Sequence, residues 1–307
     1  MAIKLGTSDI SKVYLGANEV SKIYLGVTEI YSAVSLLLDT YTGAGFAYDF
    51  RALRAAYSGN NIRARESSGS TEQNIGFTAG VLNSSSLLTF TGSNDGLVPI
   101  IYDQSTNGNN FTQTTASNQL EIVDAGALIT SNSLAATQGA SNRGGRTSSI
   151  AFSGMTDLWF FDVIDVSSTS GTQILYESST NYGGSVGSII IYITPNKLNI
   201  NSKNSSNNIS NLYPISTGRQ LISIRIRSGV DVASYTELYI NGTQITLDST
   251  IGTGNASFTD QVLYLNARAG SSLGFLGKRQ ASIFYPSDQS ANRTGIEANL
   301  NAYYGIY

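Results

Sequence analysis

The sequence predicts an all-β chain folded as a sandwich, and three observations carry that prediction. Only 13% of the residues are charged, while glycine (31) and tyrosine (18) are abundant. That is the usage of many short strands joined by polar turns, not the Glu/Lys/Ala/Leu mix of a helical protein. At Leu221–Arg227, Ile222, Ile224 and Ile226 interleave with Leu221, Ser223, Arg225 and Arg227, the pattern of a strand with one buried face. Thr236–Leu247 then sets two alternating runs around Asn241-Gly242, a strong short-range hairpin signal. At 307 residues the chain is long enough to bury a full core, as one domain or two.

The elements follow in order. Residues 1–31 hold three units at a period of ten: Ile3, Val13 and Ile23 correspond, as do Leu5/Leu15/Leu25, Gly6/Gly16/Gly26, Asp9/Glu19/Glu29 and Ile10/Val20/Ile30. Each unit runs through β-branched and aromatic residues to Leu-Gly and a small polar turn, where glycine tolerates positive φ. The expectation is one strand and a reversal per unit, giving a small β-meander that is marginal by itself. These units resemble the Tyr-Leu-Gly repeats at the ends of bacteriophage virion proteins, tail-associated ones especially. The resemblance rests on Tyr14, Leu15, Gly16, Tyr24, Leu25 and Gly26 and implies an attachment or oligomerisation element.

Residues 32–45 read as a connector, an apolar stretch followed by turn formers. Leu53 and Tyr57 stand four apart, which predicts a short helix over Arg51–Tyr57. Strands dominate from Leu97 to Phe284, interrupted by an Asn/Ser-rich stretch, Asn199–Asn211, expected as a polar loop. Ile296, Leu300 and Tyr303 share the face of a terminal helix that Ser287 or Ser290 can cap.

From Phe46 to Tyr307 the chain resembles the catalytic domain of the arabinofuranosidase B family. Three segments carry the likeness: Phe46–Phe77, Leu97–Gln113 with its Tyr-Asp-Gln-Ser-Thr-Asn-Gly-Asn run, and Ser282–Tyr304 with Tyr-Pro-Ser-Asp leading into a helix. The resemblance implies a concanavalin-like jelly-roll β-sandwich. It also implies a retaining glycosidase chemistry, which needs a nucleophile and an acid/base carboxyl group about 5–5.5 Å apart.

Both carboxyl positions are altered here. The family's nucleophilic Glu follows a Cys-Cys pair and an Asp-Tyr-Gly segment; its place falls near Tyr182, and Glu177 falls nearest the Asp. Glu177 takes the catalytic role only if the alignment shifts by about five residues, and then the alternative is an active α-L-arabinofuranosidase. The family's acid/base Asp falls nearest Gly270, and no Asp or Glu occurs between Gln261 and Ser287. With no His and no Cys, a Ser-His-Asp triad, thiol catalysis, disulfides and Cys/His metal sites are excluded.

Two further residues each have two readings. Asp103 can ligate a cation with backbone carbonyls or satisfy the groups of its own turn. Trp159, the sole tryptophan, lies in a very apolar run with Leu158 and Phe160 and is either core or a sugar platform. Asp157, Asp162 and Asp165 flank it, and Arg63 and Arg65 can pair with Glu66 or Glu72. No basic block accompanies the net charge of −3, so the electrostatic footprint of nucleic-acid binding is missing. No apolar stretch is long enough to span a bilayer or to form the core of a signal peptide at the start.

The expectation from sequence is therefore a virion structural protein of a bacteriophage (tail-, fibre- or head-associated), made in the host cytoplasm. It would display a catalytically inactive lectin-like module, have other virion proteins and copies of itself as partners, and take a host-surface glycan as ligand. No cofactor and no metal are expected. A ligand-free capsid decoration or adaptor protein is the other alternative.

Overall fold

The computed structural model describes residues 36–307 except 70, 205–207 and 256, and within the first 35 residues the backbone of six short strands. Its architecture is the expected antiparallel sandwich. One layer runs Thr236–Ile240, Gly218–Arg227, Asp157–Val166, Gly277–Tyr285, Phe46–Asp49. In the other, Gly145–Ile150, Gln261–Leu265, Gln173–Ser178, Ile189–Thr194, Lys197–Lys203 and Asn208–Pro214 pair in succession. Leu120–Asp124 and Thr137–Gln138 carry the hydrogen bonding around from one layer to the other.

Strand periodicity explains the core. Successive side chains point to opposite faces, so Leu158, Phe160 and Ile164 meet Ile222, Ile224 and Ile226 on the inner face, against Ile189, Ile191, Leu198 and Ile200. The Asp157–Val166 run is apolar on both faces because its outer face is buried too. Trp159, Phe161 and Val163, with Leu221 and Ile283, form a second core beneath three residues of a terminal helix, Ile296, Leu300 and Tyr304. Leu221–Arg227 thus buries Leu221 and Ser223 as well as its three isoleucines, more than the one face expected.

Three α-helices are described: α1 (Leu37–Thr40), α2 (Ser84–Thr91) and α3 (Arg293–Tyr304). None is long and apolar enough to cross a membrane. The expected helix at Arg51–Tyr57 does not form. Its backbone is claimed from elsewhere: the Ala52 N–H donates to Gly80 O, the Leu53 N–H to Gln104 Oε1, and Leu53 O accepts from Leu38 N–H. Helix α1 lies in the connector, with Leu37 and Leu38 buried in the second core. Helix α2 is capped by Asn83, whose Oδ1 accepts the Ser86 N–H at 3.0 Å. Helix α3 starts after Asn292 without a side-chain cap, while Ser290 serves the Asp288 carboxylate instead of capping.

Two further expectations are corrected. The Asn/Ser-rich stretch is mostly not a loop: Lys197–Lys203 and Asn208–Pro214 pair along their whole length. The N-terminal units are not single strands of a meander. Each folds back on itself as a two-stranded hairpin, with Leu5 opposite Ser8, Leu15 opposite Asn18 and Leu25 opposite Thr28. The outer pairs repeat as well, Lys4 with Asp9, Tyr14 with Glu19 and Tyr24 with Glu29. Among the described residues the three hairpins form separate sheets.

Candidate functional site

The Tyr-Asp-Gln-Ser segment is a backbone clamp. The Asp103 carboxylate accepts four hydrogen bonds, from the N–H groups of Ala47, Ser105 and Asn109 and from the Ser105 hydroxyl, at 2.7–3.1 Å. Gln104, fully buried, donates to Asp49 O and Arg51 O and accepts from Leu53 N–H. Two adjacent side chains thus tie the Phe46–Asp49 strand and the chain after it to this turn. Asp103 thus directs its lone pairs to N–H and O–H donors of its own turn and of the Phe46–Asp49 strand, the arrangement of the turn reading.

Trp159 is likewise structural. It has no exposed surface, its ring stacks on Phe161 (5.7 Å) and Tyr239 (6.4 Å), and the Arg225 guanidinium lies 5.8 Å from its centre. No face is left for a sugar. The flanking carboxylates diverge along the strand: Asp157 pairs with Arg225, Asp165 accepts from Ser131 Oγ, and Asp162 points into the sandwich core. Arg63 and Arg65 both pair with Glu72, whereas Glu66 accepts the N–H groups of Ser68 and Gly69. Those two bonds hold the Glu66 carboxyl below its ordinary value, Ser68 contributing most.

The positions singled out for catalysis do converge. Glu177, Tyr264 and Arg146 lie opposite one another on adjacent strands, and Ile190, Asn201 and Ser210 continue the row. Residues directly opposite in a ladder share a face, so this row runs across the outer face of the second layer. Tyr182, in the turn after Glu177, packs there with Ile174 and Ile190. Its N–H donates to Glu177 Oε1 at 2.9 Å. From the other side comes Arg268, whose Nε lies 2.9 Å from Glu177 Oε2 and 3.1 Å from Oε1.

Glu177 is therefore a fully buried carboxylate held by a guanidinium and a backbone N–H. Arg268 belongs to the loop that contains Gly270, so the segment expected to supply an acid/base carboxyl supplies a cation. Sequence reasoning missed Arg268 and noted only that Gln261–Ser287 has no acid; an arginine two residues before Gly270 in that gap was the available signal. The loop is sharply folded, with Asn266, Ala269 and Leu273 at positive φ, as is Ser179 across from it. Side chains other than glycine, Asn and Asp seldom adopt this conformation without support.

Elsewhere, carboxylate oxygens of Asp95, Glu121 and Asp124 come within 4.8 Å of one another. Glu121 is paired with Arg143 and Asp95 accepts the Ala125 N–H, so two of the three are already engaged.

The fold is that of an arabinofuranosidase-like β-sandwich. Residues 39–155 match the family model described as alpha-L-arabinofuranosidase B, catalytic. Both rearranged segments, at Glu177 and at Arg268, lie beyond that match. Among solved structures, the chain is similar to an arabinofuranosidase complexed with arabinofuranosyl-alpha-1,2-xylobiose (TM-score 0.59, 16% identity), covering 87% of this chain and 64% of that one. It is also similar to a GH54 α-L-arabinofuranosidase soaked with a cyclic sulfate inhibitor (TM-score 0.56, 18% identity), covering 88% and 64%. At such identities the likeness is one of fold, and the chain spans less than two thirds of those enzymes. No curated protein sequence matches the chain.

Proposed function

We propose that this chain is a catalytically inert, arabinofuranosidase-like sandwich serving as a bacteriophage virion structural protein. The N-terminal hairpins would attach it and the sandwich would display a glycan-binding surface. The observation that supports inertness is the Glu177–Arg268 pair. A retaining mechanism requires one free carboxylate to attack and a second carboxyl group to donate a proton. Here the carboxylate of that row, Glu177, is paired with a guanidinium, and its neighbouring strand and loop contribute Tyr264 and Arg268. The shared register of the three hairpins supports the attachment role, because a repeated unit implies a repeated contact.

The experiment is an arabinofuranosidase assay with an aryl α-L-arabinofuranoside on the wild type and on Glu177→Gln. The expected result is no turnover above background in either. Wild-type turnover that disappears in Glu177→Gln would restore the glycosidase reading. Co-purification of the chain with phage particles at fixed copy number checks the virion role independently.

A further inference from the structure

We propose that the saccharide site of this chain is a polar cleft at the sandwich edge, whose lining includes neither Glu177 nor Arg268, and that its ligand is a neutral saccharide. The inference rests on the glycan-binding reading above and gives it a place. The cleft measures about 460 Å³, within the range of about 300–1,000 Å³ typical of small-ligand sites. It opens where the Val232–Ser234 turn, the start of the Thr236–Ile240 strand and the chain after the Asn241-Gly242 turn meet.

Its lining has the chemistry of hydroxyl recognition. Arg227 Nη2 lies 3.3 Å from Glu237 Oε1, an oxygen that Arg225 Nη1 also reaches at 3.2 Å, so donors and an acceptor stand side by side in a cluster where Asp157 and Asp288, both paired with Arg225, balance the guanidiniums. A hydroxyl both donates and accepts, and two vicinal hydroxyls can bridge such a pair, whereas an anion gains nothing from it. Arg227 Nε is buried and has no hydrogen-bond acceptor among the described residues. Buried donors are rarely left unpaired, and a small turn of the guanidinium toward the cleft would bring this one to a ligand oxygen. Ser234, Gln244 and Thr246 are exposed around the opening, each able to donate and accept, and half-buried Ile245 and Leu247 offer an apolar edge to the C–H face of a sugar.

Two other concavities have the wrong character. The cavity beside Arg279 and Asn266, about 20 Å³, is the size of a single water. The groove of about 180 Å³ beside α3 is lined chiefly by Phe50, Leu82, Leu128, Leu134 and Tyr303. On the Glu177 face the carboxylate is already spoken for by Arg268 and Tyr182.

The test is a glycan array of neutral and acidic saccharides probed with the full chain, displayed multivalently because affinity per site is weak. Ser234→Trp and Thr246→Trp block the opening from two sides without touching the Arg227–Glu237 pair. Each should reduce the neutral-glycan signal by about ten-fold or more, about 1.4 kcal/mol, with an unchanged Tm. If either fails to fold, Gln244→Ala, which only trims an exposed side chain, should still weaken binding by about three-fold. Wild-type binding retained in the blocked variants but lost in Tyr192→Ala, on the Glu177 face, would overturn the site and leave the glycan reading intact. Binding confined to acidic saccharides would overturn the ligand class. No binding of any saccharide by the wild type would overturn both.

Discussion

Asp162 and Arg279 form an ion pair inside the sandwich, 1% and 6% exposed. Tyr176 donates its hydroxyl to Asp162 at 2.5 Å and lies under the Arg279 guanidinium, and Arg279 Nε donates to Asn266 at 2.8 Å. Burial pushes the Asp162 carboxyl up, and the Arg279 charge pulls it back. Such a pair contributes little net stability, yet removing one partner strands the other in a medium that cannot solvate it. Asp162→Leu or Arg279→Met alone should cost about 3–5 kcal/mol, and the double variant should recover most of that loss. Urea unfolding of the four proteins checks this; purely additive losses would rule it out. Neither residue declares its role in the sequence. Asp162 stands among two other acids in an apolar run, Arg279 beside a lysine, and 117 positions separate them. Glu177 and Arg268 are the same case, 91 apart. Long-range ion pairs leave no local pattern, which is why the chemistry of the candidate site was legible only as a missing carboxylate.

Where local signal and tertiary context agree, the element is legible in the sequence. Asn241 and Gly242 have φ of 52° and 77°, and Ile240 pairs with Thr243, as a two-residue turn requires. A β-branched side chain resists that conformation, and one at position 242 would also stand 3.0 Å from the Tyr307 hydroxyl. Gly242→Val should therefore destabilise by about 1 kcal/mol or more, seen as a lower denaturant midpoint at unchanged slope. An unmoved midpoint would contradict the turn's importance. Helix α3 was legible from its Ile296 and Leu300 spacing, though Tyr304, not Tyr303, completes the buried face. Arg51–Tyr57 failed because Gly80, Gln104 and Leu38 outbid a local helix for its backbone groups. Helix α2 was missed despite a legible start, Asn83 followed by three serines and Leu87-Leu88.

Across the whole molecule, the described residues from 36 onward close the sandwich on two large cores of their own. Deleting Met1–Tyr31 should leave a folded sandwich with near wild-type Tm while abolishing assembly or particle attachment, since two-stranded hairpins are marginal alone and find stability in a partner. Circular dichroism and co-sedimentation with particles check the two halves; unfolding of the truncated chain would show the hairpins to be part of the core. The architecture was readable because alternation, turn chemistry and motif agreed over many segments. The hairpin nature of the repeat was not, because ten residues can hold one strand and a loop or two short strands and a turn.

The shared register of those hairpins has a genetic consequence. A ten-residue duplication or deletion in this stretch stays in phase, adding or removing one complete hairpin while the register of the others is preserved. Because linked contacts multiply rather than add, each such event would step the strength of anchorage by a whole factor. On the proposed attachment role, a lineage carrying this protein would tune how firmly it is held by counting units, with no new surface to invent.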